Sequence, residues 1–114
     1  MQLKEAAWGD DNPADHALAF DQPLTTGSTV LVFTTDINIY GSPPGTGAPL
    51  PLAISDSGAG SYRHLVTLNN QYDWDVVRVY ARSNLPAGNL SVRAVWSTNQ
   101  WHGLVIAEVG GVPA

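Results

Sequence analysis

The chain has 114 residues, 44% of them hydrophobic and only 13% charged, with a net charge of −5 and no cysteine. That length suits one domain, the apolar fraction excludes a disordered chain, and the missing cysteines exclude disulfides, Cys-ligated zinc and thiol nucleophiles. No run approaches the ~18 apolar residues of a membrane-spanning helix, and no basic stretch followed by an apolar run marks a signal peptide.

A secreted domain of this size usually depends on disulfides, so an intracellular origin, or a partner that buries further surface, is expected. The charge is lopsided. Residues 1–36 set Lys4 against Glu5, Asp10, Asp11, Asp15, Asp21 and Asp36, whereas four arginines balance four acids in the remainder. An acidic front half repels phosphates, which argues against a nucleic-acid partner. Four arginines beside a single lysine suit an interface, because the guanidinium forks onto carboxylates and stacks on aromatics.

Residues 1–15 (MQLKEAAWGDDNPAD) keep no sustained period, and Gly9, Asp10, Asp11, Asn12 and Pro13 mark a loop. The expectation is an irregular N-terminal arm, with residues 2–8 as one helical turn or an edge strand. Residues 16–114 form a single domain. Residues 16–20 (HALAF) are a short apolar stretch, and residues 28–35 (STVLVFTT) have the β-branched composition of a buried strand. The alternating stretch 36–40 extends that strand after a bulge.

Residues 41–51 (GSPPGTGAPLP) hold four prolines and three glycines, which no helix or central strand survives. A strand restarts at 52–55, a turn comes next at 56–60, and residues 61–68 alternate with Tyr62, His64, Val66 and Leu68 on one face. Residues 74–82 place Val77, Val79 and Ala81 on one face and Arg78, Tyr80 and Arg82 on the other, with Val79 read as core. Residues 89–97 turn Leu90, Val92, Ala94 and Trp96 inward, and residues 101–109 make the last strand. Period-two alternation is what a half-buried strand requires. Seven to eight strands at ~10-residue spacing, with no helix longer than a turn, predict an all-β antiparallel sandwich or jelly roll.

Bond-making chemistry finds little to stand on. No G-x-S-x-G turn occurs, and His16, His64 and His102 are each isolated, so no nucleophile–base pair is evident. No H-x-H pairs metal ligands. The acid pairs Asp10/Asp11 and Asp73/Asp75 read as solvated loop residues, with calcium the alternative. The expectation is a protein without catalytic residues, cofactor or metal. Four tryptophans are the stronger lead. Trp96 reads as core. Trp8, Trp74 and Trp101, with Arg78 and Arg82, are the candidate contacts to a partner or a glycan, since tryptophan and arginine favour interfaces and a flat aromatic can hold a pyranose.

Three segments, ISDSGAGSY (54–62), VVRVYARSNLPAGNLSVRAVWS (76–97) and LVIAEVGGV (104–112), carry a wider similarity. Their turn, hairpin and final strand, with Asp56, Ser57, Gly58, Tyr62, Tyr80, Ala81, Pro86, Ala87, Gly88, Ala107, Glu108, Gly111 and Val112, resemble small β-sandwich domains of tailed-phage virion proteins and related actinobacterial proteins. The resemblance covers about residues 50–112 and rests on turn and core positions. It implies a structural virion protein, foremost a capsid decoration protein that clamps the major capsid protein or another virion protein as a homotrimer, located in the virion after synthesis in the host cytoplasm. A 114-residue chain beginning at Met1 fits that role better than a piece of a fibre. The alternative it implies is a fibre or adhesin domain, a carbohydrate-binding module that recognises glycans.

Overall fold

The computed structural model describes residues 2–5, 9–12, 15–37, 53–58, 60–69, 75–95 and 100–110. Among these residues there are nine strands and no helix: β1 (Gln2–Glu5), β2 (Gly9–Asn12), β3 (Asp15–Ala19), β4 (Ser28–Ile37), β5 (Ala53–Asp56), β6 (Arg63–Asn69), β7 (Asp75–Leu85), β8 (Ser91–Val95) and β9 (Gln100–Val109). The protein is an antiparallel β-sandwich. One sheet runs β1-β9-β4-β7-β6, with β2 also on β9, and the other runs β3-β8-β5. β1 and β2 occupy successive stretches of one edge of β9. Counted as one interrupted strand, they leave eight strands whose order is that of a jelly roll. An isolated Ser55–Ser61 bridge ties the segment that leads into β6 to the small sheet, and β6 itself pairs with β7.

Of the two readings of residues 2–8, the edge strand is the one found, at residues 2–5, while residues 9–12, expected as part of a loop, form β2. The edge of β9 has backbone groups that must be paired, and a short strand carrying Lys4 satisfies and blunts it. The β3–β4 connection turns at Gly27, whose φ of 82° is glycine territory. Its N–H donates to the Leu85 carbonyl at 2.8 Å, while Leu24 and Gly88 exchange backbone bonds at 2.7 and 3.2 Å.

The core lies between the sheets. From the large sheet it takes Val30, Val32, Leu85, Leu104 and Ile106, from the small sheet Val92 and Ala94, and from the connections Phe20, Leu24 and Leu90. The strand composition built from residues 28–35 and 89–95 thus lands where alternation puts it.

Two strands depart from expectation. In β7, Arg82 pairs with Val30, Tyr80 with Val32 and Arg78 with Thr34 of β4. Opposed residues share a face, so Arg78, Tyr80 and Arg82 look into the sandwich, and Val77, Val79 and Ala81 look out. Val79 is half-buried on the outer face, not a core residue. In β6 a bulge between His64 and Val66 shifts the register. A bulge inserts one residue and reverses the facing of every later side chain in the strand, so His64 faces inward while Val66 and Leu68 join the outer face. Tyr62, His64, Val66 and Leu68 do not share one face.

Candidate functional site

The charged centre of the molecule forms where β5 ends. Asp56 closes the strand, and the chain turns back through residues 57–60. The carboxylate scaffolds that turn: Oδ1 accepts the Gly58 N–H at 2.9 Å and the Gly60 N–H at 3.1 Å. Aspartate side chains mimic a backbone turn in this way. Oδ2 accepts from Arg82 Nη1 at 2.6 Å. The pair joins the small sheet to the large one, with the Asp56 side chain wholly buried (0% exposed) and the Arg82 side chain 26% exposed.

Glycine is required at residue 60 for space rather than for backbone angle. A Cβ there would lie 1.9 Å from Arg82 Nη1, inside the guanidinium. Tyr62 then packs against the core.

Burial pushes the Asp56 pKa up. The Arg82 guanidinium, the Gly60 N–H and the nearby Tyr62 hydroxyl outweigh it, so the carboxyl sits below its ordinary range. The Tyr62 O–H has no partner at hydrogen-bonding geometry, so it acts on Asp56 as a neighbouring dipole. Burial, and then the Asp56 carboxylate, hold the Tyr62 phenol far above its ordinary pKa. It is un-ionised at any physiological pH.

Two hollows flank Arg82. The larger, about 420 Å3, is lined by Ser61, Tyr62, Arg63, Ala81, Arg82 and Ser83. The smaller, about 140 Å3, lies toward Leu85, Pro86 and Leu90. Neither brings a nucleophile to a base. No histidine lines the larger hollow; His64 bonds Thr67 Oγ1 at 2.8 Å and packs against Tyr80 with the rings tilted by 48° and their centroids 5.3 Å apart. Among the described residues no three His, Asp or Glu side chains converge to hold a metal ion.

A second carboxylate fastens the opposite edge of the large sheet. Glu108 is 3% exposed. It accepts from Ser28 Oγ at 2.6 Å, the Thr25 N–H at 2.8 Å and Gln2 Nε2 at 3.0 Å. Burial raises its pKa, and these donors lower it further, leaving the group below its ordinary value. Gln2 also copies a strand pairing with Gln22: its Nε2 donates to the Gln22 carbonyl at 2.8 Å and its Oε1 accepts the Gln22 N–H at 3.1 Å.

The candidate contacts fare unequally. Trp8 and Trp74 lie outside the described residues. Trp101 stands in β9, and its side chain lies outside them too, as does Trp96 altogether. Arg78 is 6% exposed on the inner face, so in the single chain it offers a partner nothing to touch. The reason is the β4–β7 register. Arg82 shows one flank to the hollows while its guanidinium is held by Asp56.

The outer face of the large sheet is the feature that no motif announced. The registers align four rows across it: Leu3, Ala107, Leu31, Ala81 and Arg63; then Val105, Phe33, Val79 and Val66; then Gly103, Thr35, Val77 and Leu68; and Val109 with Thr29. Arg63 is the charged residue of the first row, and the registers also place Glu5, opposite Val105, and Asp75, opposite Ile37, at the margins of this face. Leu3 (65%) and Leu68 (58%) are well exposed at opposite edges. No described strand lies over this face. The usual arrangement puts polar side chains on the solvent side of an antiparallel sheet.

No protein-family model, curated protein or solved structure matches the chain. Among the described residues no helix is long and apolar enough to cross a membrane.

Proposed function

We propose that this chain is a non-enzymatic structural protein of a virion, a decoration protein that binds an assembled shell and acts as an oligomer through surface contact alone. The observation that carries the reading is the inverted large sheet. Arg78, Arg82 and Glu108 are turned inward, Arg82 held by Asp56 and Glu108 by three donors, and the middle of its outer face is left apolar. Such a molecule has broad surface to offer, and among the described residues the hollows beside Arg82 join no nucleophile to a base. The resemblance of residues 50–112 to virion sandwich domains supports the same reading and supplies the partner class, the major capsid protein.

The test is co-sedimentation of the purified chain with assembled shells, followed by heating. Retention on the particles, with a raised temperature of shell disruption, is the expected result. Failure to bind any shell or virion fraction, together with specific capture on a glycan array, would transfer the assignment to carbohydrate recognition.

A further inference from the structure

We infer that the larger hollow beside Arg82 binds a small molecule through an oxyanion group, a carboxylate or a phosphate, held by Arg82 and Arg63.

The hollow opens where β6 begins at Arg63 and β7 runs on past Ala81 to Leu85. Its lining of Ser61, Tyr62, Arg63, Ala81, Arg82 and Ser83 contains two arginines, two serines and no acid. Tyr62 adds no charge, because burial and the neighbouring carboxylate keep its phenol protonated. At about 420 Å3 the hollow falls within the range of small-molecule sites, roughly 300–1,000 Å3.

The Asp56–Arg82 pair is built to receive an anion from outside. Its carboxylate is wholly buried and its guanidinium is 26% exposed, so a ligand in the hollow meets the cation and not the acid. Asp56 engages Nη1. Nε and Nη2 bond no described residue and are not shut away from water. A guanidinium is a rigid fork of donors that matches a carboxylate or a phosphate with two parallel bonds. Here the fork is set in advance. Asp56 fixes one end, and Gly60 leaves it room, since a Cβ there would lie 1.9 Å from Nη1. Support of this kind spares a binding group from reorganising when its ligand arrives.

Arg63 completes the charge. Asp56 offsets Arg82, whereas Arg63 is exposed and has no ion-pair partner among the described residues. The hollow is therefore a positive spot on a chain of net charge −5. Thr29 Oγ1 donates to Ser83 Oγ at 3.2 Å, which leaves the Ser83 O–H for an acceptor in the hollow. A cation would find no carboxylate in this lining.

The site is independent of the shell-binding reading, and either can fail without the other.

The experiment is a titration of the isotopically labelled whole chain with inorganic phosphate, with acetate and with chloride at equal ionic strength, followed by amide chemical shifts. Saturating shifts centred on residues 61–63 and 81–83, with a dissociation constant on the order of millimolar, are expected for phosphate or acetate and not for chloride. Saturation by phosphate alone assigns the ligand to phosphates, by acetate alone to carboxylates, and by both to oxyanions at large. Arg63→Gln is expected to weaken binding about tenfold, as loss of a charge-assisted hydrogen bond does, with the rest of the amide spectrum unchanged. Arg93→Gln, on the small sheet, is expected to keep the wild-type affinity. Should Arg63→Gln not fold, Ser83→Glu replaces it and is expected to lose at least as much, because it sets a carboxylate in the hollow. Shifts that chloride reproduces or that never saturate overturn the inference. So does undiminished affinity in Arg63→Gln or its replacement, or an equal loss in Arg93→Gln.

Discussion

Arg82 and Asp56 stand 26 positions apart in sequence and 2.6 Å apart in space, one on each sheet. Their pairing converts two residues from separate strands into a cross-tie between the layers. Removing one partner of a buried pair strands the other without compensation, which costs several kcal/mol. Arg82→Ala is therefore expected to lose about 3 kcal/mol by urea unfolding. Asp56→Asn keeps an acceptor for the Gly58 and Gly60 N–H groups but turns an amide N–H₂ or a neutral oxygen toward the guanidinium. It is expected to be destabilising by a similar amount. A double-mutant cycle on Asp56 and Arg82 should show strong coupling, since the two share one interaction.

Gly60→Ala tests the same tie from the side. Its methyl group would overlap the guanidinium. The guanidinium is the far end of a flexible side chain and moves aside readily, but doing so breaks its bond to Asp56. Gly60→Ala is expected to cost most of what Arg82→Ala costs, and to add little in the Arg82→Ala background. Full additivity of the two would contradict this account.

The sign of the pH dependence is set by buried Asp56 and Glu108 and half-buried His16, with exposed Asp15, held low by its bond from Arg93, acting in the same direction. In unfolded chains Asp and Glu titrate near ~3.9 and ~4.3. Folded Asp56 and Glu108 titrate lower, so the unfolded chain takes up protons first as the pH drops. Their contribution is complete above the unfolded values and is lost as the pH falls through the folded ones. Half-buried His16 is shifted downward by burial, so it acts in the same direction, beginning near ~6.5 where an unfolded imidazole protonates. Urea midpoints are expected to be level above about pH 7, to decline gently below it and to drop steeply below about pH 4.

Glu108→Gln isolates one part of that acid limb. The amide offers one acceptor oxygen where the carboxylate offers two, and it sets an N–H₂ against donors. An orphaned buried donor costs about 1–3 kcal/mol. The variant is expected to be weaker by that amount at pH 7 and to show a shallower acid limb. Gln2→Ala removes one donor to Glu108 and the bonds to Gln22. It is expected to raise amide exchange along β1 before anywhere else in the large sheet.

Alternation made the sandwich legible. In β4 and β8 the inward positions Val30, Val32, Val92 and Ala94 follow period two, and Gly27 and Gly88 mark real turns with positive φ. Three features were not legible, each for a physical reason. Alternation divides β7 into two faces but does not say which is inside, and the register with β4 turns Arg78 inward because Asp56 and the core edge receive that face. A bulge leaves no mark on composition, so β6 read as one continuous face. The short strands β1 and β2 are held by the free edge of β9, a partner 88 to 106 positions away, and have little propensity of their own. The Asp56 turn is visible in ISDSGAGSY, but its tie to Arg82 needs the third dimension.

The facing of β7 is the claim on which both the charged core and the apolar exterior depend. It is tested most directly by nuclear Overhauser contacts in isotopically labelled protein. The account predicts that the Tyr80 ring contacts the Val32 methyls, that the Val79 methyls contact Phe33, and that Val79 shows no contact to Val92. Contacts from Val79 to Val92 or Ile106, with Tyr80 directed away from Val32, would contradict it.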